Sequence, residues 1–297
     1  MADFVDLHCH SYYSDGEDSP AALIQKAVDL KLEVIALTDH DTVQGAAEFL
    51  EAGQGKINTV VGVEISCDQS KEGVKDIHLI GLFIDHTNTK LLHFLQQARE
   101  RRITHKLAVI AKLQELGYEI TFEEAAAIGH GEIARPHIAK VLVQKYSQQF
   151  PNVKKVFEQL LGKGKPADVY IPSCFLVDAI AIIHQAGGIA ILAHPGHYSE
   201  EKFNSLFSYF IECGGDGLEG YYVYDEQRYK FRPDIDANAY FRQLAEKKKL
   251  AVSGGADYHG SIKTARIGDA KVPSEILTAL LERADSYRIQ PFKTIKR

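Results

Sequence analysis

Short runs of β-branched and aliphatic residues recur along this chain of 297 residues, and most are followed by an amphipathic helical segment. These runs predict seven strands, at 3–8, 33–37, 59–65, 77–84, 188–193, 217–222 and 250–253. Helical periodicity predicts the main helices between them at 20–30, 42–52, 175–186, 201–213 and 237–248. Strands that alternate with helices of this length indicate βαβ units and a mainly parallel sheet.

The number of strands favours a closed or nearly closed barrel over an open Rossmann sheet, and the usual glycine fingerprint of a dinucleotide site is absent. One stretch, 91–165, is helical throughout, with glycines and Pro151 at the expected helix ends. We therefore predict an α/β barrel domain formed by 1–90 and 166–297. The inserted helical subdomain at 91–165 is predicted to cap the active site.

Composition excludes several classes of protein. With 34 Lys and Arg against 40 Asp and Glu, the chain has a formal net charge of -6 and no basic tract, which argues against general nucleic-acid coating. A short nucleotide or a single strand end remains a possible ligand, whereas duplex DNA, a membrane and an obligate protein partner are not implied. No signal-peptide pattern or bilayer-spanning apolar run occurs, so we predict a cytoplasmic protein. The four cysteines form no CxxC pair and are predicted to be free thiols.

Histidines and carboxylates concentrate at the predicted strand ends, where α/β barrels build their active sites. His8 and His10 lie two apart on a strand and so point to the same side, and Asp257 and His259 repeat this arrangement on the last strand. Glu64 lies between and has two oxygens with which to bridge two ions. The predicted metal ligands are His8, His10, Asp15, His40, Glu64, His78, His194, Asp257 and His259.

A single HxH pair is more often accidental than metal-binding, and Asp15, Asp39 and Asp41 fit turns or helix caps equally well. The prediction therefore depends on the coincidence of ligand types at six strand ends. Imidazoles and carboxylates without cysteine suit Zn, Mn or Fe better than Ca or Mg. Nine candidate ligands exceed the needs of one ion, so we predict two or three divalent metal ions.

Six motifs, DLHCHSYYSDG, ALTDHD, GVEIS, IHLIGLF, ILAHPG and ADYHG, together resemble the PHP (polymerase and histidinol phosphatase) superfamily. They span 6–260, most of the chain. The segments GEIARPHIAKVLV and LGKGKP, followed by AGGIAILAHPG, resemble its TrpH-like branch of stand-alone phosphoesterases. That branch includes nucleoside 3′,5′-bisphosphate phosphatases and ribonuclease AM.

The resemblance implies a distorted (β/α)7 barrel with a trinuclear metal site. It assigns His8, His10, Glu64 and Asp257 to one ion, Glu64, His78 and His194 to a second, and Asp15, His40 and His259 to a third. The expected reaction is hydrolysis of a phosphomonoester by a metal-bridging hydroxide. The expected substrate is the 3′-phosphate of nucleoside 3′,5′-bisphosphates, with 5′–3′ trimming of short RNA as an additional activity. The alternatives are a histidinol-phosphate phosphatase and a non-catalytic metal-binding regulatory module.

Catalytic roles are predicted for Asp257, His194 and Arg135. The guanidinium of Arg135 could hold a phosphate through two donors, although an arginine beside Pro136 also fits a plain helix start. His137 and His197 are further candidates for substrate binding.

Other residues receive weaker assignments. Lys163 or Lys165 could touch a phosphate, and Tyr221, Tyr222 or Tyr224 could stack on a base, although tyrosines at a strand end more often serve packing. His86, His93, His105, His130 and His184 are predicted to be structural. The chain departs from the family at Ala256, where Ser is more common, and at 221–233, where many relatives carry a further His. These departures affect the substrate prediction and leave the ligand set intact.

Overall fold

A computed structural model describes residues 4–69, 73–129, 133–226 and 228–287. The chain divides into two compact units. The first unit contains the residues up to Gln96 and those from Ser173 onward, and the second is Gln97–Pro172. Within the described ranges, no helix is both long enough and apolar enough to cross a membrane.

The first unit is built on one sheet. Its strands are β1 (Phe4–Asp6), β2 (Val34–Leu37), β3 (Asn58–Asp68), β4 (Ile77–Leu82), β5 (Cys174–Phe175), β6 (Ile189–Leu192), β7 (Gly217–Tyr222), β8 (Ala251–Gly255) and β9 (Val272–Pro273). Their order in the sheet is β8-β7-β6-β4-β3-β2-β1-β9, with β5 paired to β3. The two-residue strands β5 and β9 were not predicted, because so short a run carries no periodicity.

Backbone hydrogen bonds bring the two ends of this sheet together. The Leu7 N–H donates to the Gly254 carbonyl at 3.1 Å, and the Asp257 N–H donates to the His8 carbonyl at 2.8 Å. The carboxylate of Asp6 adds a link, since it accepts from the backbone N–H of Ala256 at 3.1 Å. The result is a nearly closed α/β barrel, which confirms the predicted fold class.

Strand β4 differs from the prediction of a mainly parallel sheet. It runs antiparallel to both β3 and β6, whereas β1, β2 and β3 are parallel to one another, as are β6, β7 and β8. Only residues 69–76 connect β3 to β4, and so short a connection suits antiparallel neighbours. His78 therefore lies near the beginning of its strand, yet at the barrel end where the parallel strands finish.

The helices are α1 (Pro20–Asp29), α2 (Ala46–Gly53), α3 (Thr89–Glu115), α4 (Phe122–Ile128), α5 (Arg135–Lys145), α6 (Val153–Val156), α7 (Leu176–Gln185), α8 (Glu200–Glu212), α9 (Ala237–Lys248) and α10 (Ile276–Asp285). Capping fixes several starts: the Ser19 hydroxyl accepts from the Ala22 N–H at the start of α1. Helix α2 begins four residues later than predicted. Asp41, just before the predicted start, has a left-handed φ of 53°, and the chain then makes a turn in which the Ala46 N–H donates to the Val43 carbonyl at 3.0 Å before the helix begins.

The second unit has its own helical core. It contains the later part of α3 together with α4, α5 and α6, and a π-helical turn at Phe157–Leu161 follows α6. Its buried cluster includes Leu113, Leu142 and Phe150. Thr121 and Glu124 form a reciprocal capping box at the start of α4.

Candidate metal centre

Glu64, in the middle of β3, contacts five histidines, among them His40, whose Nδ1 lies 3.4 Å from Glu64 Oε2. Its Oε2 atom lies 3.1 Å from His8 Nε2 and 3.0 Å from His10 Nε2. Its Oε1 atom lies 2.9 Å from His78 Nδ1 and 3.1 Å from His194 Nε2. These histidines lie in or just after four other strands, so the carboxylate gathers side chains from the ends of β1, β2, β4 and β6.

Two further carboxylates complete the cluster. Asp257 Oδ1 lies 3.4 Å from His8 Nε2 and 3.3 Å from His10 Nε2. Asp15 Oδ1 lies 3.2 Å from His259 Nε2 and 3.9 Å from His40 Nε2. The structure thus brings all nine predicted ligand residues into one largely buried cluster.

Three groups in this cluster have ligand atoms within 4.8 Å of one another. They are His8, His10, Glu64 and Asp257; His10, Asp15, His40 and His259; and His40, Glu64 and His78. The first agrees with the set that the family resemblance implies. The other two groups differ from the implied sets. His10 joins Asp15, His40 and His259, and His40 takes the place of His194 beside Glu64 and His78. His194 lies close to that last group, with its Nε2 atom 3.2 Å from His78 Nδ1.

The residues fit divalent cations on two counts. Several buried polar atoms have no hydrogen-bond partner among the described residues: His10 Nδ1, Asp15 Oδ1, His40 Nδ1, His194 Nδ1 and Asp257 Oδ1. Buried polar atoms are nearly always paired, and this many unpaired atoms in one place therefore indicate a site for a cation. The mixed nitrogen and oxygen donors suit Zn, Mn or Fe.

Electrostatics support the same conclusion. Burial alone would raise the pKa of Glu64, but His40 and His8 hold it well below its ordinary value. Burial would lower the pKa of His10, yet the carboxylates of Asp257 and Glu64 raise it to about 9. The carboxylates therefore stay ionised and draw positive charge into the cluster, a demand that protons or metal ions can meet.

Backbone conformation also distinguishes two of these residues. His194 has φ 30° and ψ 58°, and Asp257 has φ 53°, both in the left-handed region. Left-handed conformations are costly for residues other than glycine and cluster at functional sites. His194 lies two residues beyond the end of β6, and its side chain contacts Glu64. Asp257 lies two residues beyond the end of β8, and its side chain contacts His8.

Sequence reasoning missed Glu219, a fully buried residue of β7. Its Oε1 lies 2.9 Å from His8 Nδ1, and its Oε2 accepts the backbone N–H of His194 at 2.6 Å. The available signal was a carboxylate within the buried strand GLEGYY, where an unpaired charge would be costly.

Two residues that bind Asp257 were also missed or misjudged. The Tyr222 hydroxyl donates to Asp257 Oδ2 at 2.6 Å, and the Lys263 ammonium donates to the same atom at 2.5 Å. Tyr222 was predicted to pack or to stack on a base. Tyr221 instead lies under the Arg242 guanidinium at 4.6 Å, and the Tyr224 hydroxyl accepts the Gly196 N–H.

The predicted substrate-binding residues lie in different units. His197 belongs to the first unit, where its ring centroid is 4.5 Å from that of His194 and its buried Nε2 has no hydrogen-bond partner in the described part of the chain. In the second unit, Arg135 is the first residue of α5. His137 Nδ1 accepts the Ala134 N–H and so caps the same helix.

Nearby polar residues outside the predicted ligand set have structural partners. Asp39 accepts hydrogen bonds from the Ser11 backbone and from the hydroxyls of Ser11 and Ser14, which holds the loop that carries Asp15. Asp41 accepts the Ser66 N–H. Asp39 and Asp41 therefore stabilise the loops around the cluster.

Among the other histidines, His184 binds Asp216 and His105 binds the Val169 carbonyl. His86 is half-buried and His93 is exposed. His130 lies outside the described residues. Lys163 and Lys165 are exposed in the second unit.

Comparison with known proteins identifies the class to which this fold and cluster belong. Residues 6–171 match the family model described as PHP domain. The chain is 35% identical to a 5′-3′ exoribonuclease of Haemophilus influenzae, over 87% of this chain and 91% of the relative. It is 32% identical to a 3′,5′-nucleoside bisphosphate phosphatase of Chromobacterium violaceum, over 86% and 87% of the two chains.

A crystal structure of a candidate metal-dependent phosphoesterase from Bifidobacterium adolescentis superposes with a TM-score of 0.79. The two chains are 26% identical, and the match covers 94% of this chain and 96% of that one. The chain belongs to the PHP domain family, as the sequence motifs predicted.

Proposed function

We propose that this protein is a metal-dependent phosphoesterase that removes the 3′-phosphate of nucleoside 3′,5′-bisphosphates. Two or three Mn, Zn or Fe ions would be held by the nine-residue cluster, in the cytoplasm. The proposal is supported by two of the relatives, a phosphatase and an exoribonuclease, each of which aligns over most of the chain.

One observation carries this proposal: Glu64 offers both carboxylate oxygens to histidines from different strands, at 2.9 to 3.1 Å. A carboxylate in this position can serve two ions at once. When bound, such ions polarise the phosphoryl oxygens and make a water nucleophilic near neutral pH.

The protein's own side chains prepare Asp257 to act as a metal ligand. Tyr222 and Lys263 bind Asp257 Oδ2, which leaves Asp257 Oδ1 turned towards His8 and His10. Burial would raise the pKa of Asp257, but Lys263 and His8 hold it well below its ordinary value. Asp257 therefore stays ionised at neutral pH and available as a ligand.

Substrate binding is assigned by chemistry and resemblance. We propose that Arg135 and His137 hold a substrate phosphate, since a guanidinium offers paired donors to phosphate oxygens. His197 is proposed to bind the substrate through its unpaired Nε2.

The second candidate activity is 5′–3′ trimming of short RNA. It is favoured by the 35% identity to the exoribonuclease of Haemophilus influenzae, which exceeds the 32% identity to the bisphosphate phosphatase. Both activities break a phosphoester at the end of a nucleotide, so one site could serve both.

The test is phosphate release from adenosine 3′,5′-bisphosphate with Mn²⁺, beside AMP, histidinol phosphate and a short 5′-phosphorylated RNA. Chelator-sensitive release from the bisphosphate, well above that from AMP and histidinol phosphate, is expected. Faster nucleotide release from the RNA would make trimming the principal activity. Preference for histidinol phosphate would contradict both candidate activities.

Variants connect this activity to the cluster. Asp257→Asn and His194→Ala should each abolish turnover, because each removes a predicted ligand. Lys202→Ala, at an exposed position of α8, serves as the control and should retain turnover. Full metal-dependent activity in both ligand variants would show that the reaction occurs elsewhere.

A further inference from the structure

Glu219 is a charged residue with no exposed surface, and it contacts two of the proposed metal ligands without being one. One oxygen lies against the His8 ring and the other accepts the His194 backbone N–H. Both carboxylate oxygens of Glu219 therefore have a partner, at 2.9 and 2.6 Å. His8 contacts Glu219 through Nδ1 and Glu64 through Nε2.

The contact with His8 determines which ring nitrogen can bind a metal. A carboxylate oxygen accepts hydrogen bonds, so the His8 tautomer that fits this contact carries its proton on Nδ1, 2.9 Å from Glu219 Oε1. That leaves Nε2 as the atom whose lone pair is available when a cation binds. Nε2 is the nitrogen that lies 3.1 Å from Glu64 Oε2 and 3.4 Å from Asp257 Oδ1.

The contact with His194 acts on the backbone. His194 has the left-handed angles φ 30° and ψ 58° and precedes Pro195. Residues before proline favour extended conformations, so this conformation needs support from its surroundings. The hydrogen bond from its N–H to Glu219 Oε2 supplies that support and keeps Nε2 of His194 at 3.1 Å from Glu64 Oε1.

We infer that Glu219 is the positioning residue of the metal centre: it fixes the tautomer of His8 and the backbone of His194, and thereby sets metal affinity without binding metal. This inference rests on the proposed metal centre. One carboxylate would thus position two metal ligands, His8 after β1 and His194 after β6, both of which contact Glu64.

The Glu219→Gln variant tests this directly. The His194 N–H is an obligate donor and will take the single amide oxygen, which turns the amide NH₂ towards His8 Nδ1. His8 would then accept at Nδ1 and carry its proton on Nε2, where it blocks the metal. Loss of an outer partner of a ligating histidine typically lowers metal affinity about 10–100-fold, and we expect a loss of that size.

Asp216→Asn is the matched control. Asp216 is also buried, lies just before β7, and binds His184 and the Ala190 N–H instead of the cluster. The measurement is the dissociation constant of Mn²⁺ by competition with a chromogenic chelator, together with thermal unfolding of each metal-free variant. Weaker Mn²⁺ binding in Glu219→Gln, with affinity kept in Asp216→Asn, is the expected result.

Two results would overturn the inference. One is wild-type Mn²⁺ affinity in folded Glu219→Gln, and the other is an equal loss of affinity in Asp216→Asn. If Glu219→Gln does not fold, ¹⁵N spectra of the Zn²⁺-loaded wild type decide, with the His8 signals assigned by their absence in His8→Asn. A proton on Nδ1 of His8 supports the inference, and a proton on Nε2 overturns it. Failure of the wild type to bind either metal would instead refute the proposed centre.

Discussion

Gly255, the last residue of β8, is the position where closure of the barrel can be tested most sharply. A Cβ atom added there would lie 2.4 Å from His8 N and 2.5 Å from His8 Cβ. Non-bonded carbon contacts are optimal at about 3.5–4.0 Å, so Gly255→Ala must move β1 and β8 apart by about 1 Å. The first of these atoms belongs to the His8 backbone and the second is bonded directly to it, so neither can rotate away.

That separation has a calculable cost. It would stretch the Leu7 N–Gly254 O and Asp257 N–His8 O hydrogen bonds from 3.1 and 2.8 Å to beyond bonding distance. At about 1 kcal/mol for each lost hydrogen bond, and more where a buried group is left unpaired, Gly255→Ala should lower the free energy of unfolding by about 2–4 kcal/mol. Since His8 moves with β1, Mn²⁺ affinity should also fall.

Urea unfolding of the metal-free protein and Mn²⁺ titration measure the two effects. Gly220→Ala on β7 is the control, because the two nearest atoms to its added Cβ belong to side chains, Arg242 Cγ at 2.6 Å and Val252 Cγ1 at 2.9 Å. The control should change stability by less than the Gly255 variant. Wild-type stability and Mn²⁺ affinity in Gly255→Ala would refute the close approach of β1 and β8.

Three further predictions concern single side chains. Tyr222→Phe removes the donor at 2.6 Å from Asp257 and should lower turnover about tenfold, equivalent to about 1.4 kcal/mol, as measured by phosphate release; unchanged turnover would exclude a role for this hydrogen bond. Phe150→Ala should lower the unfolding free energy of the second unit by about 3–5 kcal/mol, whereas Leu116→Ala, at a 42% exposed side chain of the same unit, should cost far less in the same denaturant titration. Burial and then Lys106 lower the pKa of His105 to about 4, so the unfolded chain binds a proton that the folded chain does not between pH 6.5 and 4. Stability should fall on acidification through that window, by on the order of 1–2 kcal/mol from this half-buried group, and His105→Gln should reduce the difference between unfolding at pH 7 and pH 4.5.

The alternating pattern of strands and helices was enough to predict the barrel, and the ligand types at strand ends were enough to predict the cluster. Both depend on local periodicity and on the rule that barrel sites form at strand ends. The direction of β4 was not predictable in this way. The apolar pattern of 77–84 predicts a strand but not the direction in which it runs relative to its neighbours. Only its pairing with β3 and β6 shows that it is antiparallel.

The residues that support the ligands were harder to foresee for the same reason. Glu219 lies in mid-strand, and Lys263 follows the last motif by several residues, so neither fits a pattern of strand ends. Their roles come from contacts between residues far apart in sequence, such as Glu219 with His8. A carboxylate within an otherwise apolar buried strand is the sequence signal that deserved a functional interpretation.

The central claim is that the nine-residue cluster around Glu64 holds the metal ions of a phosphoesterase. Anomalous X-ray diffraction from crystals grown with Mn²⁺ tests it most directly. We predict two or three strong peaks, with at least one in contact with Glu64 and the others in contact with His8, His40, His194 or Asp257. Metal-dependent phosphate release by a protein whose anomalous peaks all lie outside this cluster would contradict the account.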